Sequence, residues 1–355
     1  MSEKTVDQVE HLYWIDFVRT VGAFFVVLVH ASFFILYLWG EVPESHWMAG
    51  NVYDSIARVG VPLFLMISGA LLLRKEENIF FFLKKRLIKI ILPFVFWSIF
   101  YLWWRQNYPV GAKFSSIAIS MFVSVLKVPA SDHLWFLYAL VVLYFFVPPL
   151  RLMLSRAKER DIIYILLLWL SMGPLVQLLQ KLFSFALTSH FHFISGYWGY
   201  LLLGYWLSIK KIPIKNTIFF FVAGSLCTLA TIWLTYIFSL TNAHLDGFFY
   251  DYLSLNVVFA SGFFFISLKS IGEKLYKEKF WGKFFFAHGG ASFGIYLIHP
   301  VILDILQRGK LGFRLSFRVG NPWYTISLAA LLAYAFSFVI VVGMRKIPVL
   351  KKLVP

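Results

Sequence analysis

Three side chains that can carry a charge sit inside a segment otherwise built for lipid. Asp16, Arg19 and His30 belong to Tyr13-Trp14-Ile15-Asp16-Phe17-Val18-Arg19 and Leu28-Val29-His30. A helix turns about 100° and rises about 1.5 Å per residue, so His30 lies about 20° round from Arg19 and about 40° from Asp16. All three then share a face, with His30 roughly 16 Å deeper than Arg19. A guanidinium at one depth can hold an anion, and an imidazole further along the face can move a proton. Taken singly, Asp16 and Arg19 also have the i,i+3 spacing of a plain ion pair, and His30 could be a packing histidine. The common face favours a site.

Four further constellations carry candidates. Arg58 stands one turn before Pro62 in Ala57-Arg58-Val59-Gly60-Val61-Pro62, where a charge in apolar surroundings demands an anionic partner or a water-filled cavity. Arg86 and Lys89 are i,i+3 and share a face, either as a flank on the cytoplasmic side or as a cationic seat for a phosphorylated cofactor. Asp132-His133-Leu134-Trp135 opens another apolar run; Trp135 fits an interfacial aromatic belt, and His133 is a candidate contact for a polar acceptor. Tyr296 and His299 stand one turn apart in Gly294-Ile295-Tyr296-Leu297-Ile298-His299-Pro300, where the proline interrupts the helical ladder.

Long apolar helices must position these groups. Of 355 residues, 60% are hydrophobic, 20% aromatic and only 14% charged, with a mean hydropathy of +0.76. Soluble domains carry about 25% charged residues, so the expected class is an all-α integral membrane protein with residues 1–355 as a single membrane domain. About ten spans of sufficient length are predicted, near 14–37, 52–73, 86–104, 133–153, 161–179, 192–209, 215–238, 250–268, 285–306 and 323–344. A shorter amphipathic piece near 114–127 is expected at the surface. The first span lacks a small-residue cleavage site and is expected to be retained.

The net charge of +16 follows the loops. Basic clusters follow alternate spans, at 74–86, 151–160, 210–215, 269–283 and 345–352, while the opposite loops carry Glu41, Glu44, Asp132 and Asp246. This alternation predicts both termini in the cytoplasm, and it accounts for the excess charge without nucleic acid as a partner. Arg308, Lys310, Arg314 and Arg318 break the pattern.

Several chemistries have no motif here. The sequence contains no GxxxxGK[ST] loop, no HExxH and no GxSxG elbow. His190 and His192 are spaced i,i+2, wrong for one helix face, and the one cysteine, Cys227, cannot make a thiolate cage. No metal is expected.

Together, Tyr-Trp-Ile-Asp-x-x-Arg with a His eleven residues on, Arg-Val-x-Val-Pro-Leu-Phe-x-Met-Ile-Ser-Gly, His-Leu-Trp-Phe and Gly-Ile-Tyr-x-x-His resemble the acyltransferase type 3 family of integral-membrane acyltransferases. The resemblance spans nearly the whole chain. It implies a bundle of about ten helices in a bacterial cytoplasmic (inner) membrane, moving an acetyl group from cytoplasmic acetyl-CoA to a sugar hydroxyl of a surface polysaccharide or its lipid-linked precursor. Arg19 and His30 match the family's Arg and His, and Arg86-Leu87-Ile88-Lys89 stands where the family has Arg-x-x-Arg. Lys89 keeps the charge and loses the guanidinium fork. The soluble domain of some members is not expected, since the sequence ends soon after the last span.

On this reading His30 is the general base, with Arg58 and Tyr296 beside the developing thioester oxyanion. Asp16, Arg19, Arg86 and Lys89 hold the CoA phosphates, and His133, Trp135 and His299 meet the acceptor. The partners are acyl-CoA, a glycan or lipid-linked sugar, and membrane lipids. Two alternatives stay open: an exporter of polysaccharide or lipid-linked sugar, and a transferase of succinyl or longer acyl groups.

Overall fold

The computed structural model describes residues 4–105, 129–183, 196–275 and 278–355; for 4–13, 105 and 279 it describes backbone only. The expected surface piece at 114–127, His190 and His192 lie outside the described residues. Among those described there are helices and no strands. The helices are α1 Lys4–Leu36, α2 Glu44–Ala57, α3 Gly60–Leu72, α4 Ile79–Arg105, α5 Trp135–Leu154, α6 Glu159–Leu170, α7 Val176–Phe183, α8 Trp198–Ile209, α9 Thr217–Asn242, α10 Leu255–Leu275, α11 Lys279–Arg308, α12 Pro322–Arg345 and α13 Pro348–Lys351. Nine stretches among the described residues are long and apolar enough to cross a membrane, and the chain is an all-α integral membrane bundle. The expected span at 192–209 begins outside the described residues, and its described portion is the short α8.

α1 occupies the centre, packed against α2, α3, α10, α11 and α12. Lipid tails provide no hydrophobic drive between helices, so close packing of small residues must hold them. Gly22 of α1 faces Gly60 of α3, where a Cβ would come within 3.1 Å of the Gly22 carbonyl oxygen. Gly69 and Gly204 bring α3 and α8 into backbone contact: a Cβ on Gly69 would stand 1.9 Å from the Leu201 oxygen, and one on Gly204 2.1 Å from the Met66 oxygen.

The second span is two helices, broken at Arg58 and Val59. Pro62 falls in the first turn of α3, where backbone N–H groups lack helical partners anyway, so the break precedes the proline and lies at Arg58. Pro93, Pro148, Pro149 and Pro300 sit inside helices, and Pro174 lies in a π turn at Ser171–Leu175 between α6 and α7.

One end of the bundle is basic. There Arg345 donates to the carbonyls of Gly290, Val354 and Pro355, Arg151 caps α3 through the Leu72 carbonyl, and Lys269 donates to the Ser208 carbonyl at 2.9 Å and stands over the Trp14 ring. The start of α1 lies at this same end, because Asp16 touches Gly289. At the opposite end are acids of the other loops, Glu44 held by Tyr236 and Asp246 held by Lys181 and Asn242.

A branched side chain at the α3–α8 contact must push the backbones of the two helices apart. Gly204→Val is expected to cost well over the roughly 1–3 kcal/mol of ordinary overpacking. In detergent, size-exclusion chromatography should show little monodisperse protein, with Gly343→Val, whose added Cβ meets nothing within 4 Å, as the tolerated control.

Candidate active site

α1 delivers Asp16, Arg19 and His30 to one side, as their spacing predicts. The Arg19 guanidinium lies 3.3 Å from the buried Asp16 carboxylate. Gly289 of α11 sits directly on Asp16, where a Cβ would come within 2.6 Å of its backbone. Deeper along the same helix, His30 places Nδ1 2.7 Å from the Val26 carbonyl oxygen. A carbonyl only accepts, so this contact assigns the proton to Nδ1 and leaves Nε2 with the lone pair. The helix thus orients its own histidine with Nε2 as a hydrogen-bond acceptor.

His133 and His299 meet His30. The His30 and His299 ring centres are 4.8 Å apart, His133 lies 5.5 Å from His299 and 6.0 Å from His30. His133 rides on a 3-10 turn, Asp132–Leu134, at the start of α5, with its Nδ1 3.0 Å from the Ser131 hydroxyl. The Tyr296 hydroxyl donates to the His133 carbonyl at 2.5 Å, and the Tyr101 hydroxyl to the Leu297 carbonyl at 2.6 Å. These bonds tie the ends of α4 and α5 to α11. His299 is fully buried, its Nδ1 donates to the Ile295 carbonyl at 3.1 Å, and its Nε2 has no hydrogen-bond partner among the described residues. Among those residues, no group of three or more His, Cys, Asp or Glu could hold a metal ion.

Three cavities follow one another past His30. The inner one, about 400 Å³, is lined by Arg19, Lys89, Ser292 and Pro355 at the basic end, and by Val26, Val61, Phe136 and Tyr296 further in. Those last four also wall a narrow middle cavity of about 10 Å³, which adds His30, His133 and Trp135. His30 and His133 in turn wall an outer cavity of about 170 Å³, lined as well by Tyr101, Trp104, Asp132 and Asp304. Along α1 the order is 19–26, 26–30 and 30–34, and α11 repeats it from Gly289 through Tyr296 to Arg308.

Not every candidate joins this path. Arg58 finds its anion in Asp54, fully buried one turn earlier, with Nε and Nη2 both 2.5 Å from one carboxylate oxygen. The guanidinium also lies 4.7 Å over Tyr250 and 5.7 Å over Tyr252. Tyr252 walls the middle cavity, whereas Arg58 and Asp54 line none of the three, and the pair anchors the break between α2 and α3. Tyr296 walls two cavities, with its hydroxyl committed to His133. Trp135 stacks on Tyr252 with 5.6 Å between ring centres. Lys89 reaches the inner cavity; Arg86 is absent from its lining, and its Nε is buried without a hydrogen-bond partner. His299 stands behind His30, off the cavity walls.

Asp54 escaped the sequence reading, although its i,i+4 spacing to Arg58 on an apolar helix was a usable signal. Tyr101, Trp104 and Asp304 escaped too, because only the approach of α4 to α11 brings them to the histidines; Ser131 escaped although it lies two residues before His133.

The fold and site define a polytopic membrane protein with a histidine cluster between two opposed cavities. The family model described as an acyltransferase domain matches residues 12–342, and the chain belongs to that acyltransferase type 3 family. It is a membrane acyltransferase. No curated protein and no solved structure matches it.

Cutting one member of a buried ion pair leaves an uncompensated charge, at about 3–5 kcal/mol. Asp54→Ala should therefore lower the thermal midpoint of purified protein sharply, and the double change Asp54→Leu with Arg58→Met should recover much of the loss. Equal destabilisation of single and double variants would show that the pair is not what matters.

Proposed function

We propose that the protein transfers an acetyl group from cytoplasmic acetyl-CoA to a sugar hydroxyl presented at the opposite face of a bacterial cytoplasmic membrane. One observation carries this reading: the inner and outer cavities adjoin a small middle one, and His30 walls both the middle and the outer. A donor and an acceptor entering from opposite ends would meet at that imidazole.

The inner cavity suits the donor. Arg19 and Lys89 are cations on its wall, with Asp16 holding the Arg19 guanidinium. They would bond the CoA phosphates by charge-assisted contacts, with Arg86 supplying further positive charge from α4. Phe64, Ile67, Phe136, Leu140 and Phe293 line the same cavity and would cover the pantetheine arm. The narrow middle cavity, with space for about one water, favours a short acyl group over a long one, and that supports acetyl over a larger donor.

In the transfer step, His30 Nε2 takes the proton of the sugar hydroxyl as its oxygen attacks the thioester carbonyl carbon. The carbon–oxygen bond forms, the carbon–sulfur bond breaks, and the CoA thiolate leaves to collect a proton, which the imidazolium can return. His133 and Trp135 contact the acceptor from α5. His299, fully buried against the His30 ring, backs it from the far side of the cavities with its Nε2 unpartnered among the described residues. Leaving that nitrogen empty in a buried site costs about 1–3 kcal/mol, a cost that a ligand or transferred proton would relieve. The motifs of α1, α3 and α5 resemble those of the enterobacterial common antigen O-acetyltransferase, which supports a surface glycan or its lipid-linked precursor as acceptor.

Loss of a general base lowers rates by about 10²–10⁴-fold. His30→Ala should abolish transfer of labelled acetyl from acetyl-CoA to glycan, read by mass spectrometry, while the protein still inserts and purifies as a folded monodisperse species. Product at the wild-type rate would remove His30 from the mechanism. Arg19→Ala and Lys89→Ala should raise the KM for acetyl-CoA. An exporter would move glycan without releasing CoA thiol, so a thiol assay on reconstituted protein separates export from transfer.

A further inference from the structure

Arg308 at the end of α11, with Lys310, Arg314 and Arg318 in the connection to α12, puts four bases on the side where the alternation of charge predicts few. Positive residues on the translocated side oppose insertion, so their presence there calls for an occupation. Of the four, Arg308 lines the outer cavity; Lys310 stands over its Trp104 wall, and Arg314 and Arg318 flank the Leu315, Ser316 and Phe317 that line it, so the three form its rim. The loop is built to hold this position. Gly309 ends α11 at φ +74°, a conformation that favours glycine, and a Cβ there would also stand 2.6 Å from the Arg314 side chain. The Leu315 N–H donates to the Leu306 carbonyl at 3.0 Å, folding the loop back on the helix end.

The charges are not spent on one another. Asp304 accepts from Arg308 at 2.7 Å and from the Trp104 indole at 3.0 Å, and thereby neutralises Arg308 alone. The Lys310 ammonium stands 4.4 Å over the Trp104 ring. Among the described residues no carboxylate pairs with Lys310, Arg314 or Arg318, and all three are exposed. Below them the cavity offers flat aromatic walls in Trp104, Tyr101 and Phe317.

We propose that this rim is a binding site for oxyanions on the acceptor, so that the outer cavity selects a negatively charged glycan, with carboxylate or phosphate on the sugar chain or on its lipid carrier. The inference rests on the acyltransferase reading of the three cavities. Exposed cations at a cavity mouth draw in anions and screen with salt. Lys310, Arg314 and Arg318 meet the anion, while the aromatic walls take the sugar faces and pass one hydroxyl to His30.

The test is binding by full-length detergent-purified protein, read by calorimetry, with three probes: a uronic-acid oligosaccharide, a neutral oligosaccharide of equal length, and a polyprenyl-diphosphate-linked sugar. The expected result is tighter binding of one or both charged probes, weakening as salt rises. Arg314→Gln with Arg318→Gln should then reduce charged-probe affinity by between about two- and thirtyfold. Binding of only the uronic-acid probe places the anion on the glycan, and binding of only the diphosphate probe places it on the carrier. Equal affinity for charged and neutral probes, salt-independent binding, or charged-probe affinity unmoved in the folded double variant would overturn the proposal. So would an anion preference confined to acidic phospholipid in nanodiscs. CoA release, assayed separately with a neutral acceptor, tells a failed rim from a failed acyltransferase.

Discussion

The close contact between α1 and α11 governs the rest of this molecule. Lipid offers no partner for a carboxylate, a guanidinium or an imidazole, so the polar face of α1 must be covered by protein. α11 covers it by running beside α1 in the same direction. Gly289 seats its backbone on Asp16 at one level, and His299 sets its ring against His30 at another. A larger residue at 289 would lift α11 from Asp16 and loosen the histidines together. The requirement for glycine there and the spacing of the imidazoles are two consequences of one helix crossing.

Around that axis, structural and reactive polar groups are sorted by whether they find a partner. Asp54 and Arg58 pair inside the bundle through one carboxylate oxygen, and neither lines a cavity. Their pairing, with Tyr250 and Tyr252 against the guanidinium, fixes the joint between α2 and α3. His30 and His299 spend one nitrogen each on a carbonyl of their own helix and keep the other available. Arg19 is half-spent on Asp16, and Lys89 lies open on the inner cavity wall. The groups left with unspent capacity are the ones that can do chemistry on a ligand.

The two ends of the path differ in chemistry. Cations and an apolar sleeve mark the inner cavity, while the outer one combines aromatic rings, two acids and a basic rim. The tail at Leu353–Pro355 turns back into the bundle, held by Trp97 and Arg345, so that Pro355 walls the inner cavity. Nothing so far apart in sequence could be assigned to a common wall before folding.

By itself the sequence determined the class and much of the site. Scarce charge in apolar runs made Asp16, Arg19, His30 and Arg58 conspicuous, and helical periodicity put the first three on one face, because both follow from local geometry and the cost of charge in lipid. The loop alternation assigned the basic end for the same local reason. What the tertiary structure alone decided is which of these groups meet. It gave Arg58 to Asp54, took Arg86 off the inner cavity wall, and brought His133 and His299 to His30 across more than a hundred residues of chain each. Tyr101, Trp104 and Asp304 entered the site the same way. Such meetings depend on how helices cross, and crossings are set by small residues on opposing faces, a pairwise property that no single helix encodes.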